Sequence, residues 1–235
     1  MRAKPGAPPF MVRLVLFDID GTLVRTGGAG VRAFDQAGAV AFGVVNGARH
    51  FRFAGRTDTS LVREFLVTHR IPPHPENFDR FLAAYIFLLD RYLPEHAGHP
   101  CRGVEELIRG MSALPRPPLL GLQTGNIRLG AELKLRHLGL WEPFATGGFG
   151  DDAEDRNQLA AIARERGGRL AGRPLAGEEI LVIGDTPHDI ACGRSIGARV
   201  LAVATGGNSI EELRACEPDW CVPDLGGVTA DQVCG

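Results

Sequence analysis

The chain has 235 residues, of which 44% are hydrophobic and 23% charged, with a formal charge of −2. That suffices for one good core, or a core with a smaller accessory unit, and it excludes a global basic field that would draw in nucleic acid or an anionic membrane. No run approaches the roughly 18 apolar residues of a membrane-spanning helix. The five cysteines (Cys101, Cys192, Cys216, Cys221 and Cys234) are scattered and form no C-x-x-C pair. They argue against a zinc site or a disulfide framework, and for free thiols in a reducing cytoplasm.

In chain order, residues 1–10 read as a loose leader without a long apolar segment or a cleavage site. Arg13–Phe17 is a short apolar run that stops at Asp-x-Asp-Gly-Thr, as a buried parallel strand ending in a loop does. Gly27, Gly28 and Gly30 then form a flexible entry to helical stretches near Gly30–Phe42, Thr59–His69 and Glu76–Leu93. In the last, Phe78, Phe81, Tyr85, Leu88, Leu89 and Tyr92 recur at helical spacing, as a stripe packing on neighbouring helices would. Pro94–Pro100 reads as the return linker.

Three further runs repeat the pattern of the first strand: Pro117–Asn126, Glu178–Asp185 and Ala198–Gly207. Each ends in a polar or glycine cluster and is followed by a helical pattern. Asn126 is placed to cap a helix through Leu138, and Ser209 with Glu212 forms a capping box. Strand, polar loop and helix in alternation predict an α/β fold, a doubly wound Rossmann-like parallel sheet. Residues 1–24 and 99–235 form the expected core, and residues 25–98 the helical insert. Ligands of such sheets bind outside the carboxyl ends of the strands, which gathers Asp18, Asp20, Thr124 and Asp185 on one rim.

The sharpest signal is Phe17-Asp18-Ile19-Asp20-Gly21-Thr22-Leu23. Two carboxylates one residue apart on an extended turn can approach one ligand, one to attack and one to handle protons. Gly21 permits the tight backbone. The same letters also suit a surface turn, and the preceding apolar strand weighs against that.

Here the chain resembles the haloacid dehalogenase-like hydrolase superfamily, whose first motif this is. The resemblance implies three more elements. A hydroxyl at the end of a later strand is matched by Thr124 in LLGLQTGN. Its hydroxyl, the amide of Gly125 and the neighbouring Asn126 would hold phosphoryl oxygens, with Gly21 and Thr22 opposite. A basic residue, usually Lys, is expected at the start of a later helix. No lysine follows Lys134, and Arg156 in Asp155-Arg156-Asn157 takes the place, with Lys134 as the competitor. Arg is planar, larger and permanently charged, so the charge logic survives while the geometry differs. An acidic pair is matched by Asp185 and Asp189 in LVIGDTPHDI. Asp185 would complete an oxygen-rich magnesium site with Asp18 and the carbonyl of Asp20, and Asp189 would act behind it or through water. His188, between them, receives no role.

The resemblance implies a Rossmann-like core with a helical cap of the C1 kind. Within it, Asp20 argues for phosphoryl transfer, because the dehalogenases lack that second Asp. The phosphonate-cleaving branch needs a cap lysine, and none lies between Val24 and Gly98. The expected activity is therefore a magnesium-dependent phosphatase acting on a small phosphorylated metabolite, similar to phosphoglycolate phosphatase-like members. Asp18 is the expected nucleophile and Asp20 the acid/base. A sugar-phosphate mutase on the same core and a non-catalytic binding module are the alternatives. In the insert, Arg52, Arg56, Thr57 and Asp58 form the densest polar group, and Arg56 is the candidate reader of the substrate's non-reacting part.

Overall fold

The computed structural model describes residues 11–235; the expected leader lies outside them. The first strand, β1 (Leu14–Phe17), is wholly buried. A two-residue strand β2 (Val24–Arg25) leads into three helices, α1 (Ala29–Phe42), α2 (Asp58–Thr68) and α3 (Pro75–Tyr92). The chain returns through β3 (His99–Pro100), which pairs antiparallel with β2 as a two-stranded ribbon. Then follow α4 (Val104–Ser112), β4 (Leu119–Gln123), α5 (Arg128–His137), β5 (Thr146–Gly148) and α6 (Arg156–Leu170). The remaining elements are β6 (Ile180–Gly184), α7 (Pro187–Ser195), β7 (Arg199–Val203), α8 (Ile210–Ala215), β8 (Trp220–Val222) and α9 (Ala230–Cys234).

Six strands form one parallel sheet in the order β5-β4-β1-β6-β7-β8. Strand side chains alternate between faces. In β1, Val15 and Phe17 join the cluster covered by α4, α5 and α9, while Leu14 and Leu16 join the cluster covered by α6, α7 and α8. This is the doubly wound architecture expected from the runs of apolar residues. The strand order reverses at β1, flanked by β4 and β6, and the crevice outside that reversal is where such sheets bind ligands. The sequence reading lacked β5 and β8. Both are three-residue outer strands, and Thr146-Gly147-Gly148 carries no apolar run to announce itself.

The three insert helices share a separate cluster built on aromatic rings. Phe34 lies 4.7 Å from Phe81, and Phe65 lies 5.0 Å from Phe81, between ring centroids. Gly38 in α1 is required by this packing, because a Cβ there would run into the Phe65 ring. The α3 stripe packs as expected, though Tyr85 also borders the cavity described below. One capping expectation fails: α5 begins at Arg128 with Ile127 as its cap, and Asn126 caps nothing. Its amide is committed instead to Asp20 and Thr124. The Ser209–Glu212 capping box is present.

Removing the ring at the centre of the insert tests this packing. Phe65→Ala is expected to destabilise the protein by about 3–5 kcal/mol, the usual cost of such a truncation, read as a lowered midpoint in urea unfolding. A loss under about 1 kcal/mol would show that the aromatic cluster relaxes around the gap.

Candidate active site

Asp18 leaves the end of β1, and its amide still donates to Ile183 O at 2.9 Å, so the neighbouring strand β6 fixes where its side chain starts. The chain then turns tightly. Leu23 and Val24 both donate to Ile19 O, at 2.9 and 3.0 Å, and Gly21 adopts φ 89°. Glycine is needed there for a second reason: a Cβ would sit 2.6 Å from Asp185 Oδ2. A Cβ on Gly206 would overlap the same oxygen. Two loops thus leave room for one carboxylate at the end of β6.

Asp185 is fixed by Thr22, whose Oγ1 donates to its Oδ1 at 2.9 Å. Asp189 lies one helical turn on, fully buried. Its Oδ2 accepts from the Thr186 amide at 3.0 Å and the Thr186 hydroxyl at 2.7 Å, closing the capping box of α7. Its Oδ1 pairs with Arg156. Arg156 is the first residue of α6, and its guanidinium also stands 3.6 Å from Asp18 Oδ1. One carboxylate oxygen from each of Asp18, Asp185 and Asp189 lies within 4.8 Å of the others.

Three buried carboxylates against one guanidinium leave an excess of negative charge, and their acidities register it. Burial first, then the Asp189 charge, pushes the Asp18 carboxyl up to about 7, with Arg156 pulling partway back. Burial first, then Asp18 and Asp189, pushes Asp185 up to about 8, against the Thr22 hydrogen bond. Hard oxygen donors crowded into excess negative charge suit a divalent cation such as magnesium.

Asp20 differs. Its side chain is 44% exposed. Oδ2 accepts from Asn126 Nδ2 and from Lys134 Nζ, each at 2.7 Å, and Lys134 also donates to Asn126 Oδ1 at 2.6 Å. No described residue donates to its other oxygen. Thr124 Oγ1 accepts from Asn126, which leaves its proton free to donate.

These groups border a cavity of about 620 Å³ between the sheet rim and the insert helices. Asp18, Asp20, Gly21, Thr124, Gly125, Asn126, Arg156 and Asp185 all reach its wall, as does Arg56 from the insert. Thr22 does not; it is buried behind Asp185 and orients it. Arg56 is tied to Glu64 and to Ser60 O. His188 packs against Gly55 of the insert. Both cations weighed from the sequence reach the carboxylates, Arg156 on Asp18 and Asp189, and Lys134 on Asp20. The reach of Lys134 was not visible in its mid-helix position. Its position ten residues after Thr124 was the available sign, since the helix that follows β4 must pack back along the same rim.

Comparison with known proteins agrees with this geometry. A family model described as HAD-hydrolase-like matches residues 158–228. The curated "Probable phosphatase IndB" of Dickeya dadantii (strain 3937) is 26% identical over 220 residues, covering 90% of each chain. Among solved structures, CbbY from Rhodobacter sphaeroides in complex with xylulose-1,5-bisphosphate superposes with a TM-score of 0.73 at 19% identity, covering 93% of this chain and 96% of that one. A predicted phosphoglycolate phosphatase from Haemophilus somnus 129PT gives 0.68 at 19% identity, covering 92% and 96%. The chain thus resembles the haloacid dehalogenase-like hydrolases, and its sheet is a Rossmann-like α/β core. Among them it resembles the phosphoglycolate phosphatase-like members, and the relatives support a phosphatase enzyme.

The crowding of carboxylates makes a prediction about stability. A carboxyl raised from 3.8 to about 7 on folding holds its proton more tightly in the folded state. Ionising it therefore costs stability, increasingly as pH rises from about 4 towards 7 and fully above that. In chelator at pH 7.5, Asp18→Asn is expected to raise the Tm by at least about 3 °C, at roughly 2–4 °C per kcal/mol for a chain of this size. At pH 4.5 the gain should shrink towards zero. An unchanged or lowered Tm at pH 7.5 would refute the repulsion.

Proposed function

We propose that the enzyme hydrolyses a small phosphate monoester with magnesium, through an aspartyl-phosphate on Asp18. The observation that carries this reading is the pairing of two unlike aspartates on one turn. Asp18 is buried between Arg156 and Asp185, and Asp20 faces the cavity with one oxygen free. Magnesium would be held by Asp18, Asp185 and the main-chain carbonyl of Asp20, with Asp189 behind them, because both Asp189 oxygens are already engaged. When bound, it supplies positive charge to the phosphoryl oxygens and offsets their repulsion from Asp18.

The residues divide the remaining work. A carboxylate oxygen of Asp18 attacks phosphorus in line as the bond to the leaving oxygen breaks, and Asp20 gives that oxygen its proton. Asp20 then takes a proton from water as the water attacks phosphorus, which frees Asp18 and yields inorganic phosphate. Arg156, the Thr124 hydroxyl and nearby amides hold the charge on the equatorial oxygens, the positioning and electrostatics on which phosphoryl transfer depends. Lys134 and Asn126 position Asp20.

Residues 25–98 serve in this reading as a cap that excludes bulk water. The segment around Thr57 supports it: Thr59 Oγ1 donates to Gly150 O at 2.6 Å, and the Asp58 amide donates to Gly125 O at 2.7 Å, both across to the core. The name of the curated relative favours hydrolysis over the mutase alternative. All five cysteines are free thiols. Among the described residues, no helix is long and apolar enough to cross a membrane.

The test is turnover of p-nitrophenyl phosphate. Chelation is expected to abolish it and added magnesium to restore it, and Asp18→Asn is expected to be inactive though folded. Arg156→Ala should lower kcat by about 10²–10³-fold, the usual effect of losing one preorganised donor. Lys134→Ala should lower it less. Turnover indifferent to chelator, or an active Asp18→Asn, would overturn the mechanism.

A further inference from the structure

The wall of the cavity has two unlike halves. The sheet rim supplies the carboxylates and cations just described. The insert supplies Phe34, Phe53, Leu61 and Tyr85, with Asp58 as the one carboxylate among them. Phe53 stands edge-on to Phe34 at 5.3 Å between centroids, and both residues line the cavity.

The charges on the wall decide what that space rejects. Lys134 is held by Asp20, Arg156 by Asp18 and Asp189, and Arg56 by Glu64. Arg25 is the exception, without a carboxylate partner. It is exposed at the rim, donating to Thr205 O at 2.9 Å and Gly206 O at 3.1 Å. A second anionic group seated against Phe34 and Phe53 would meet Asp58, while the insert's cations on the wall are already engaged, Arg56 by Glu64 and Arg25 by main-chain carbonyls at the rim.

The same half holds one unused polar group. Tyr85 is only 2% exposed, and its hydroxyl makes no hydrogen bond to any described residue. It reaches the place where Gly30 has no side chain. A Cβ there would lie 4.0 Å from Tyr85 Oη and 3.5 Å from Lys134 Nζ. The phenol and the ammonium that holds Asp20 thus border the same stretch of the cavity wall at Gly30. Burial, followed by the charges of Asp58 and Asp20, holds the phenol's pKa well above its ordinary value, so it remains a neutral donor. At about 620 Å³ the cavity falls within the ordinary 300–1,000 Å³ of small-molecule sites, more than a two-carbon leaving group needs.

We propose that the substrates are phosphate monoesters of neutral alcohols with an apolar or aromatic face, seated on Phe34 and Phe53 and hydrogen-bonded by the Tyr85 hydroxyl. Esters carrying a carboxylate or a second phosphate on that part are selected against. This rests on the phosphatase reading above and deepens it by naming the substrate class.

The test compares kcat/KM with magnesium for phenyl, 4-(hydroxymethyl)phenyl and 4-carboxyphenyl phosphates, with acetyl phosphate as a small reference that does not reach the insert half. The three aryl esters share one scaffold, so the comparison isolates charge. The two neutral aryl esters should exceed the carboxylated one by about thirtyfold or more, because rejection rests on an unpaired buried charge. In Phe53→Ala the ratio of phenyl to acetyl phosphate should fall at least fivefold. In Tyr85→Phe the 4-(hydroxymethyl)phenyl ester should lose more than the phenyl ester. Equal or better turnover of the carboxylated ester would overturn the proposal while leaving the phosphatase reading intact. Failure to hydrolyse any of the four, acetyl phosphate included, would overturn both.

Discussion

The repulsion among Asp18, Asp185 and Asp189 is the constraint on which the rest of this structure depends. Three buried carboxylates are held close together, with Arg156 as their one close guanidinium among the described residues. Left alone, such groups would take up protons or move apart. The fold prevents separation by starting each one from rigid backbone. Asp18 is tied to β6 through its own amide, Asp185 is locked by Thr22, and Asp189 is closed into the first turn of α7 by Thr186. The parallel sheet therefore stores an unfavourable charge arrangement at its rim, stabilised by packing elsewhere.

Arg156 shows why the exchange of lysine for arginine at this place is consistent with the charge logic. A guanidinium presents a planar fork of donors, where an ammonium is a compact point charge. From the first residue of α6, that fork spans both Asp18 and Asp189. The second cation, Lys134, arrives from a different helix and serves a different carboxylate, so the site divides its positive charge. One part faces the buried aspartate at the strand end, and the other restrains the exposed one two residues later.

Much of this was legible in the amino-acid order, for a definite reason. Buried parallel strands must be apolar, and they must end in polar loops. The runs before Asp18, Thr124 and Asp185 therefore announce both the sheet and its rim. The exceptions were of three kinds. The outer strands β5 and β8 are too short for any periodicity to show. Asn126 has the composition of a helix cap, yet Asp20, 106 residues back, and Lys134, eight residues on, offer its amide charged partners that a helix end does not. Lys134 and Tyr85 sit on helices whose patterns speak of packing, and a side chain that packs with its stem while placing its polar end in a cavity leaves no separate mark in sequence.

Those last two residues also show how the insert and the chemistry share parts. The Ile127 amide donates to Asp58 Oδ2 at 2.9 Å, and the Asp58 amide donates to Gly125 O, so one insert residue grips both sides of Asn126. Asn126 in turn grips Asp20 and receives Lys134. Gly125 has no room for a Cβ because Arg56 O lies against it. A continuous run of contacts thus joins the N-terminus of α2 to Asp20, the exposed carboxylate on the cavity wall. An insert that moved away would take Asp58 from this loop and loosen Asn126, the residue that orients Asp20. Docking of the insert and placement of the Asp20 carboxylate are, in this geometry, the same event.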